Sequence, residues 1–166
     1  NVSQIFSNSS EIMIMGFAMI FLIIAGEIDL SIASILALSS SMLGWSYAHG
    51  APIWMAIIIA MAVGTLCGFI NGFLVTKLGL GSLAVTIGAL ALYRGIANGL
   101  LGTNTINEFP EFWTSFGFDT IGTTFIPQTL PVIIVFGIFF GLLLHNTPFG
   151  RRTLAIGQSP VAARFA

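Results

Sequence analysis

Five long apolar stretches constrain what this sequence can fold into. They comprise residues 12–25, 32–48, 53–76, 83–102 and 130–144. A bilayer core of about 30 Å is crossed by about 20 apolar residues in helical form, because every backbone polar group there must be paired within its own segment. We therefore predict an all-α, polytopic transmembrane bundle with about five membrane segments. The first and last stretches are short, so either flanking polar residues complete the span or the helix is broken.

The scarcity of charged side chains supports a lipid environment. Only 7% of the residues are charged and 56% are hydrophobic, whereas a soluble domain carries about a quarter charged residues. The few charges cannot cover the outer faces of soluble helices, so membrane lipid is the expected surroundings. The formal net charge of −1 gives no basic face for nucleic acid, and nucleic-acid binding is excluded.

Motifs of enzymes and of metal sites are absent from the sequence. Cys67 is the only cysteine, which excludes an intrachain disulfide and a thiolate metal cluster. No GxxxxGK[ST], HExxH or GxSxG motif occurs, and His49 and His145 stand alone. We expect no catalytic residue, no metal and no cofactor bound by this chain, and any ATPase must be another subunit.

Basic residues predict the orientation, because short cytoplasmic loops are rich in Lys and Arg. Lys77 follows the third stretch, and Arg151 and Arg152 follow the fifth, which places these ends inside. The acidic connection 103–128 then lies outside. Carried back to the start, this alternation places the residues before Glu11 outside, and together with a first residue other than Met it predicts a piece of a longer protein.

Two short helices are predicted in the connections. Pro110, with a following acid and clustered aromatic residues, indicates a helix at the outer membrane surface, as an aromatic belt or as a docking surface. Ser159 as N-cap and Pro160 at the first helical position predict a cytoplasmic helix, presented by a preceding Gly-bounded loop. That helix is suited to dock a soluble partner.

Small residues recur at every fourth position of the third stretch. They are Ala56, Ala60, Gly64, Gly68 and Gly72. Such a stripe allows another helix to approach closely in lipid, so we predict helix packing at Gly64, Gly68 and Gly72. The alternative is that Gly and Ala are simply common in membrane helices.

The segment 26–31 carries two carboxylates, Glu27 and Asp29, between apolar stretches. Ionisable groups at membrane depth are costly and usually face a cavity or a partner. We predict a helix broken near residues 26–31, with Asp29 or Ser31 capping the helix that begins near Ile32. Direct contact with a polar solute and a proton relay are the alternatives. Carboxylates suit sugars because they accept hydrogen bonds from adjacent hydroxyls.

Two polar residues lie within the later stretches. Arg94 reaches an interface, neutralises a buried carboxylate such as Glu27 or Asp29, or contacts substrate. Asn71 is suited to hydrogen bonding between helices. The candidate residues of a substrate pathway are Glu27, Asp29, Ser31, Asn71 and Arg94.

Several separated motifs resemble one known family. They are GEIDLSIAS at 26–34, Asn71-Gly72 with Val75, TIGALALYRG at 86–95, and residues 149–157 with 162–164. In this order they resemble permease subunits of bacterial ABC importers for monosaccharides, the ribose, galactose, xylose and rhamnose group. The resemblance covers essentially the whole sequence. Glu27 replaces a usual Gly, as in a rhamnose-type branch.

The resemblance implies a multi-pass permease domain at 1–166 in the bacterial inner membrane, whose first span and C-terminal half lie outside this sequence. It implies a second permease, identical or different, cytoplasmic ATP-binding subunits and a periplasmic sugar-binding protein. It also implies that 147–166 is the cytoplasmic segment that couples to the ATPase, with Val161 in place of a usual Glu. The coupling residues are Phe149, Gly150, Arg151, Arg152, Gly157, Ala162, Ala163 and Arg164.

The expected function is import of a monosaccharide by alternating access, with ATP hydrolysed on a partner. The sequence leaves open whether the solute resembles rhamnose or an autoinducer-type furanose. Two other functions compete with ATP-driven import. One is proton-coupled secondary transport through Glu27 or Asp29, and the other is a purely structural membrane subunit.

Overall fold

A computed structural model of the chain describes residues 2–102, 104–122, 126–159 and 163, without the side chains of 2–8 and 118. In this part of the chain the regular secondary structure is α-helix, apart from one isolated bridge between Thr120 and Pro127. The helices are α1 (Val2–Ile24), α2 (Ile32–Ala48), α3 (Ile53–Thr76), α4 (Ser82–Leu101), α5 (Glu111–Phe118), α6 (Leu130–Asn146) and α7 (Pro148–Gln158). The predicted all-α fold is confirmed.

Helix length separates the predicted membrane segments into two groups. Among the described residues, α3 and α4 are long and apolar enough to cross a bilayer, and α6 with α7, bent by 69°, makes a third span if counted together. The apolar helices Ser9–Ile24 and α2 are shorter. The 17 residues of α2 extend about 26 Å, less than a bilayer core. Length and composition thus support two or three of the five predicted segments as complete spans.

Gly26 ends α1 and produces the predicted break. Its φ of 79° lies in the left-handed region that favours glycine. The N–H of Gly26 donates to the carbonyl of Ile23 (3.0 Å), and the N–H of Glu27 donates to the carbonyl of Leu22 (2.9 Å). This pair of bonds is the Schellman ending of a helix. The break near residues 26–31 is confirmed, since helix resumes only at Ile32.

Residues Ile28–Phe109 form one compact unit, in which α2 packs against both α3 and α4. Small and polar residues fill its interior, including Ser34, Ser41 and Ser46 on α2 and several alanines on α3 and α4. Large apolar side chains of α3 are exposed instead, among them Ile58, Met61, Leu66 and Phe69. This reversal of the soluble pattern is typical of helices that pack closely and face lipid.

The other compact unit comprises Asn1–Glu27 and Pro110–Ala166. In it α1 packs against α6 and α7. The Phe21 ring lies 5.9 Å from Phe140 on α6 and 5.6 Å from Phe149 on α7, measured between ring centroids. Aromatic contacts therefore connect α1 to both helices.

The segment before Ser159 is a helix, so its interpretation as a Gly-bounded loop is wrong. Thr147 is the N-cap of α7, and its hydroxyl oxygen accepts the N–H of Gly150 at 3.2 Å. Pro148 occupies the first helical position, where a missing N–H costs nothing. The helix that we predicted from Pro160 onward falls on 160–162 and 164–166, which lie outside the described residues.

Candidate functional site

Asp29 organises the loop that precedes α2. Its Oδ1 accepts the backbone N–H of Ser31 at 2.7 Å and the Ser31 hydroxyl at 2.6 Å. The Ser31 hydroxyl therefore donates to Asp29 and makes no side-chain cap to α2. The main-chain carbonyl of Ser31 accepts the first helical bonds, from Ser34 and Ile35. Asp29 thus fixes the residue at which α2 begins.

A buried polar network joins this loop to α3 and α4, and we define it as Asp29, Ser31, Asn71 and Tyr93. Asn71 Nδ2 donates to Ser31 Oγ at 2.8 Å. The single proton of the Tyr93 hydroxyl is shared between Asn71 Oδ1 at 3.0 Å and the main-chain carbonyl oxygen of Cys67 at 3.2 Å. Ser31 is 0% exposed, and Asn71 and Tyr93 are each 5% exposed.

The side-chain hydrogen bonds within the polar network run in one direction, toward the Asp29 carboxylate. The phenol donates to the amide, the amide to the serine hydroxyl, and the hydroxyl to the carboxylate. A bond that ends on a charged acceptor is stronger than a neutral one, and successive bonds polarise one another. Three predicted pathway residues, Asp29, Ser31 and Asn71, are therefore brought together in one connected arrangement.

Thr86 supports the same loop from α4. Its hydroxyl is buried, donates to the carbonyl of Ser82 at 2.8 Å and lies 3.4 Å from the carbonyl of Ile28. Neither Thr86 nor Tyr93 was predicted as a site residue from the sequence. The available signal was their spacing of seven residues, which places two hydroxyl groups on one helical face within an apolar stretch.

Arg94 and Glu27 lie outside the polar network. Arg94 is exposed on α4, although its neighbour Tyr93 is buried, and it forms no ion pair with Asp29 in the described part of Ile28–Phe109. Glu27 is half-buried at the end of α1, where its N–H completes the helix ending. Their contact with a solute stays a prediction.

The small-residue stripe of α3 meets α2 over part of its length. Ala56 and Ala60 are buried, and a Cβ at Gly64 would lie 2.9 Å from the Ser39 hydroxyl oxygen. Gly68 and Gly72 are exposed, and a Cβ there would meet no described atom within 4 Å. Four residues advance a helix by more than one turn, so the stripe rotates by about 40° at each step. Helix packing at Gly68 and Gly72 stays a prediction.

The predicted coupling residues that the structure describes lie mainly on α7. Arg151, Arg152 and Phe149 are exposed, and Phe149 also contacts Phe21. Gly150 is buried against α6, and Gly157 lies against the carbonyl of Ile24 on α1. Ala163 is half-buried after α7. Ala162 and Arg164 lie outside the described residues.

An open groove runs along the basic side of α7. Its volume is about 390 Å³. It is lined by Pro148, Arg151, Arg152, Ala155, Ile156 and Ala163. Two guanidinium groups beside an apolar strip can bind an acidic, partly apolar protein surface.

Comparison with known proteins identifies relatives over the whole chain. The family model of the permease component of the branched-chain amino acid transport system matches residues 1–166. The autoinducer 2 import system permease protein LsrD of Klebsiella pneumoniae subsp. pneumoniae is 37% identical, over 100% of this chain and 52% of that protein. The protein of the same name from Enterobacter sp. is 36% identical, over 100% and 53%. No solved structure matches the chain.

The chain spans about half the length of the curated relatives it matches. The matches confirm the predicted resemblance to importer permeases, with a location in the bacterial inner membrane. They also confirm the prediction of a transport component rather than an enzyme. The chain therefore belongs to the family of transport permeases described by the permease component of the branched-chain amino acid transport system.

Proposed function

We propose that this chain is part of the permease of an ATP-driven importer, which carries a small sugar-like solute across the bacterial inner membrane by alternating access. The family match over the whole chain and the import-system relatives support this function. The structural observation that carries it is α7, which bends by 69° from the apolar helix α6 and exposes two adjacent arginines. Such a helix is suited to transmit the motion of a soluble ATPase to the membrane helices.

The partners follow from this function as part of the proposal. Separate cytoplasmic subunits bind and hydrolyse ATP, because this sequence contains no phosphate-binding motif. They bind the groove along α7, where Arg151 and Arg152 lie beside apolar residues. A second permease, identical or different, completes the channel. A periplasmic binding protein delivers the solute to the outer mouth.

Charge reversal on α7 tests the coupling. The double substitution Arg151→Glu and Arg152→Glu in the full-length permease is expected to remove the ATPase from the purified complex and to lower uptake at least about tenfold, because it places like charges across the interface. Co-purification and initial uptake rates measure the effect. Lys77→Glu is the control, since Lys77 is an exposed basic residue at the end of α3. An intact, active complex with both arginines reversed contradicts the assignment of α7.

The solute that we propose is an autoinducer-type furanose rather than a rhamnose-like sugar. The relatives are named as autoinducer 2 import permeases, and this favours one of the alternatives that the sequence left open. Cells that contain the full-length permease with its partner subunits, and no other importer for this solute, are expected to take up labelled autoinducer 2. Unlabelled rhamnose at about a hundredfold excess over labelled autoinducer 2 is expected to leave uptake unchanged. A competitor of equal affinity would block nearly all uptake at that ratio.

The same cells distinguish the energy source. We expect a substitution that inactivates the ATPase partner to abolish uptake. Uptake that survives this substitution and is lost only with an uncoupler supports the proton-coupled alternative and contradicts the importer. ATP-dependent uptake of labelled rhamnose, with no uptake of autoinducer 2, overturns the choice of solute and leaves ATP-driven import in place.

A further inference from the structure

Tyr93 lies at the end of the polar network farthest from the carboxylate. We propose that Tyr93 is a positioning residue, which acts through Asn71 and Ser31 to hold the Asp29 carboxylate at the solute pathway. The consequence for transport rests on the proposed function. The effect on the loop before α2 does not, and it can be measured separately.

The loop 28–31 depends on polar contacts for its position. Its two apolar side chains are exposed, Ile28 to 52% and Leu30 to 43%, so apolar packing holds it only weakly. The side-chain contacts from other helices to this loop are the bond from Asn71 to Ser31, at 2.8 Å, and the longer approach of the Thr86 hydroxyl to the carbonyl of Ile28, at 3.4 Å. Asn71 is therefore the main side chain that connects the loop to α3.

Tyr93 in turn sets the orientation of the Asn71 amide. When Asn71 Oδ1 accepts the phenol, the NH₂ group is directed at Ser31 Oγ. Without the phenol, the buried Oδ1 of Asn71 has no hydrogen-bond donor, and this loss favours rotation of the amide. Rotation by half a turn would present an oxygen where Ser31 requires a donor. The hydroxyl of Tyr93 thus selects the amide orientation that holds the loop.

Only one oxygen of the Asp29 carboxylate accepts hydrogen bonds from the described residues of Ile28–Phe109. Both bonds from Ser31 end on Oδ1, and no described residue of Ile28–Phe109 donates to Oδ2. The side chain is half-buried rather than enclosed. The half-buried Oδ2 can therefore accept a hydrogen bond from a solute hydroxyl. Because the two bonds from Ser31 hold Oδ1 in place, they also determine the direction in which Oδ2 points.

Tyr93→Phe tests the proposal in the assembled importer, with Tyr47→Phe as the matched control. Tyr47 is the only other tyrosine in the sequence, and its ring stacks on Phe109 with a centroid distance of 5.4 Å. One measurement is the rate at which a water-soluble thiol reagent labels the variant Leu30→Cys in a Cys67→Ala background. The other is the amount of solute imported per ATP hydrolysed, which a mere loss of folded protein does not change.

We expect Tyr93→Phe to raise the labelling rate and to lower the solute imported per ATP, each by roughly fivefold, as the loss of one buried hydrogen bond predicts. Tyr47→Phe is expected to change neither. Unchanged labelling in Tyr93→Phe overturns the role of Tyr93 in holding the loop. Faster labelling with an unchanged import ratio overturns the link to the solute pathway. If the unaltered protein imports no solute, the proposed function fails, and the labelling rates still decide whether Tyr93 holds the loop.

Discussion

Gly150→Ala is expected to displace α7 and to remove the ATPase subunits from the purified importer. Gly150 is buried in the first turn of α7, and a Cβ at this position would overlap with the main-chain carbonyl of Leu144 in α6. The obstacle is backbone rather than a flexible side chain, so the bend between the helices must change. We expect a loss of about 3 kcal/mol in the free energy of unfolding, at the upper end of the usual range for overpacking. Thermal unfolding of the full-length permease and co-purification of the ATPase measure the two effects.

Gly141→Ala is the control on the neighbouring helix. A Cβ at Gly141 would meet no described atom within 4 Å, so this variant is expected to keep or gain up to about 1 kcal/mol of stability through helix propensity. Gly157→Ala provides a second test of the same arrangement, because its Cβ would overlap with the carbonyl of Ile24 on α1. If Gly150→Ala unfolds at the same temperature as Gly141→Ala and retains the ATPase, α7 does not pack against α6 at Gly150.

Apolar length alone predicted the principal helices. The bounds 32–48 and 53–76 agree with α2 and α3 to the residue, because polar residues and Pro52 interrupt the apolar pattern where the helices begin and end. The break at 26–31 was equally accessible, since a glycine followed by carboxylates marks the end of an apolar helix. Helix bounds and helix ends of this kind are determined by residues close together in the chain, so they can be predicted from one sequence.

Long-range contacts could not be predicted in the same way. Gly150 and Gly157 indicated a loop, whereas they lie in the first and last turns of α7 and allow it to approach α6 and α1. The spacing of Tyr93 from Thr86 placed its hydroxyl on a polar face of α4 but did not name its partner, because Asn71 belongs to another helix. In both cases the residue type permits several structures, and packing against a distant segment decides between them.

Asn71→Leu is expected to lower the free energy of unfolding by about 2 kcal/mol, because it leaves buried hydrogen-bonding groups without their partners. Leucine nearly conserves the volume of the side chain. The Ser31 hydroxyl oxygen loses its donor, and the Tyr93 hydroxyl keeps only the carbonyl of Cys67 as acceptor. We expect faster thiol labelling in the Leu30→Cys background as well, since the same bond holds the loop before α2. Thermal unfolding of the full-length permease measures the stability.

The polar network also predicts that Asn71 and Tyr93 are energetically coupled. Once Asn71→Leu has removed the acceptor, the further change Tyr93→Phe removes a hydroxyl that has already lost one partner, so the double variant is expected to be about 1 kcal/mol more stable than the sum of the single effects. Asn98→Leu is the matched control, because Asn98 is exposed on α4 and is expected to show neither the loss nor the coupling. Strictly additive effects of Asn71→Leu and Tyr93→Phe would mean that the two side chains act separately. Tyr93 would then not act on Asp29 through Asn71.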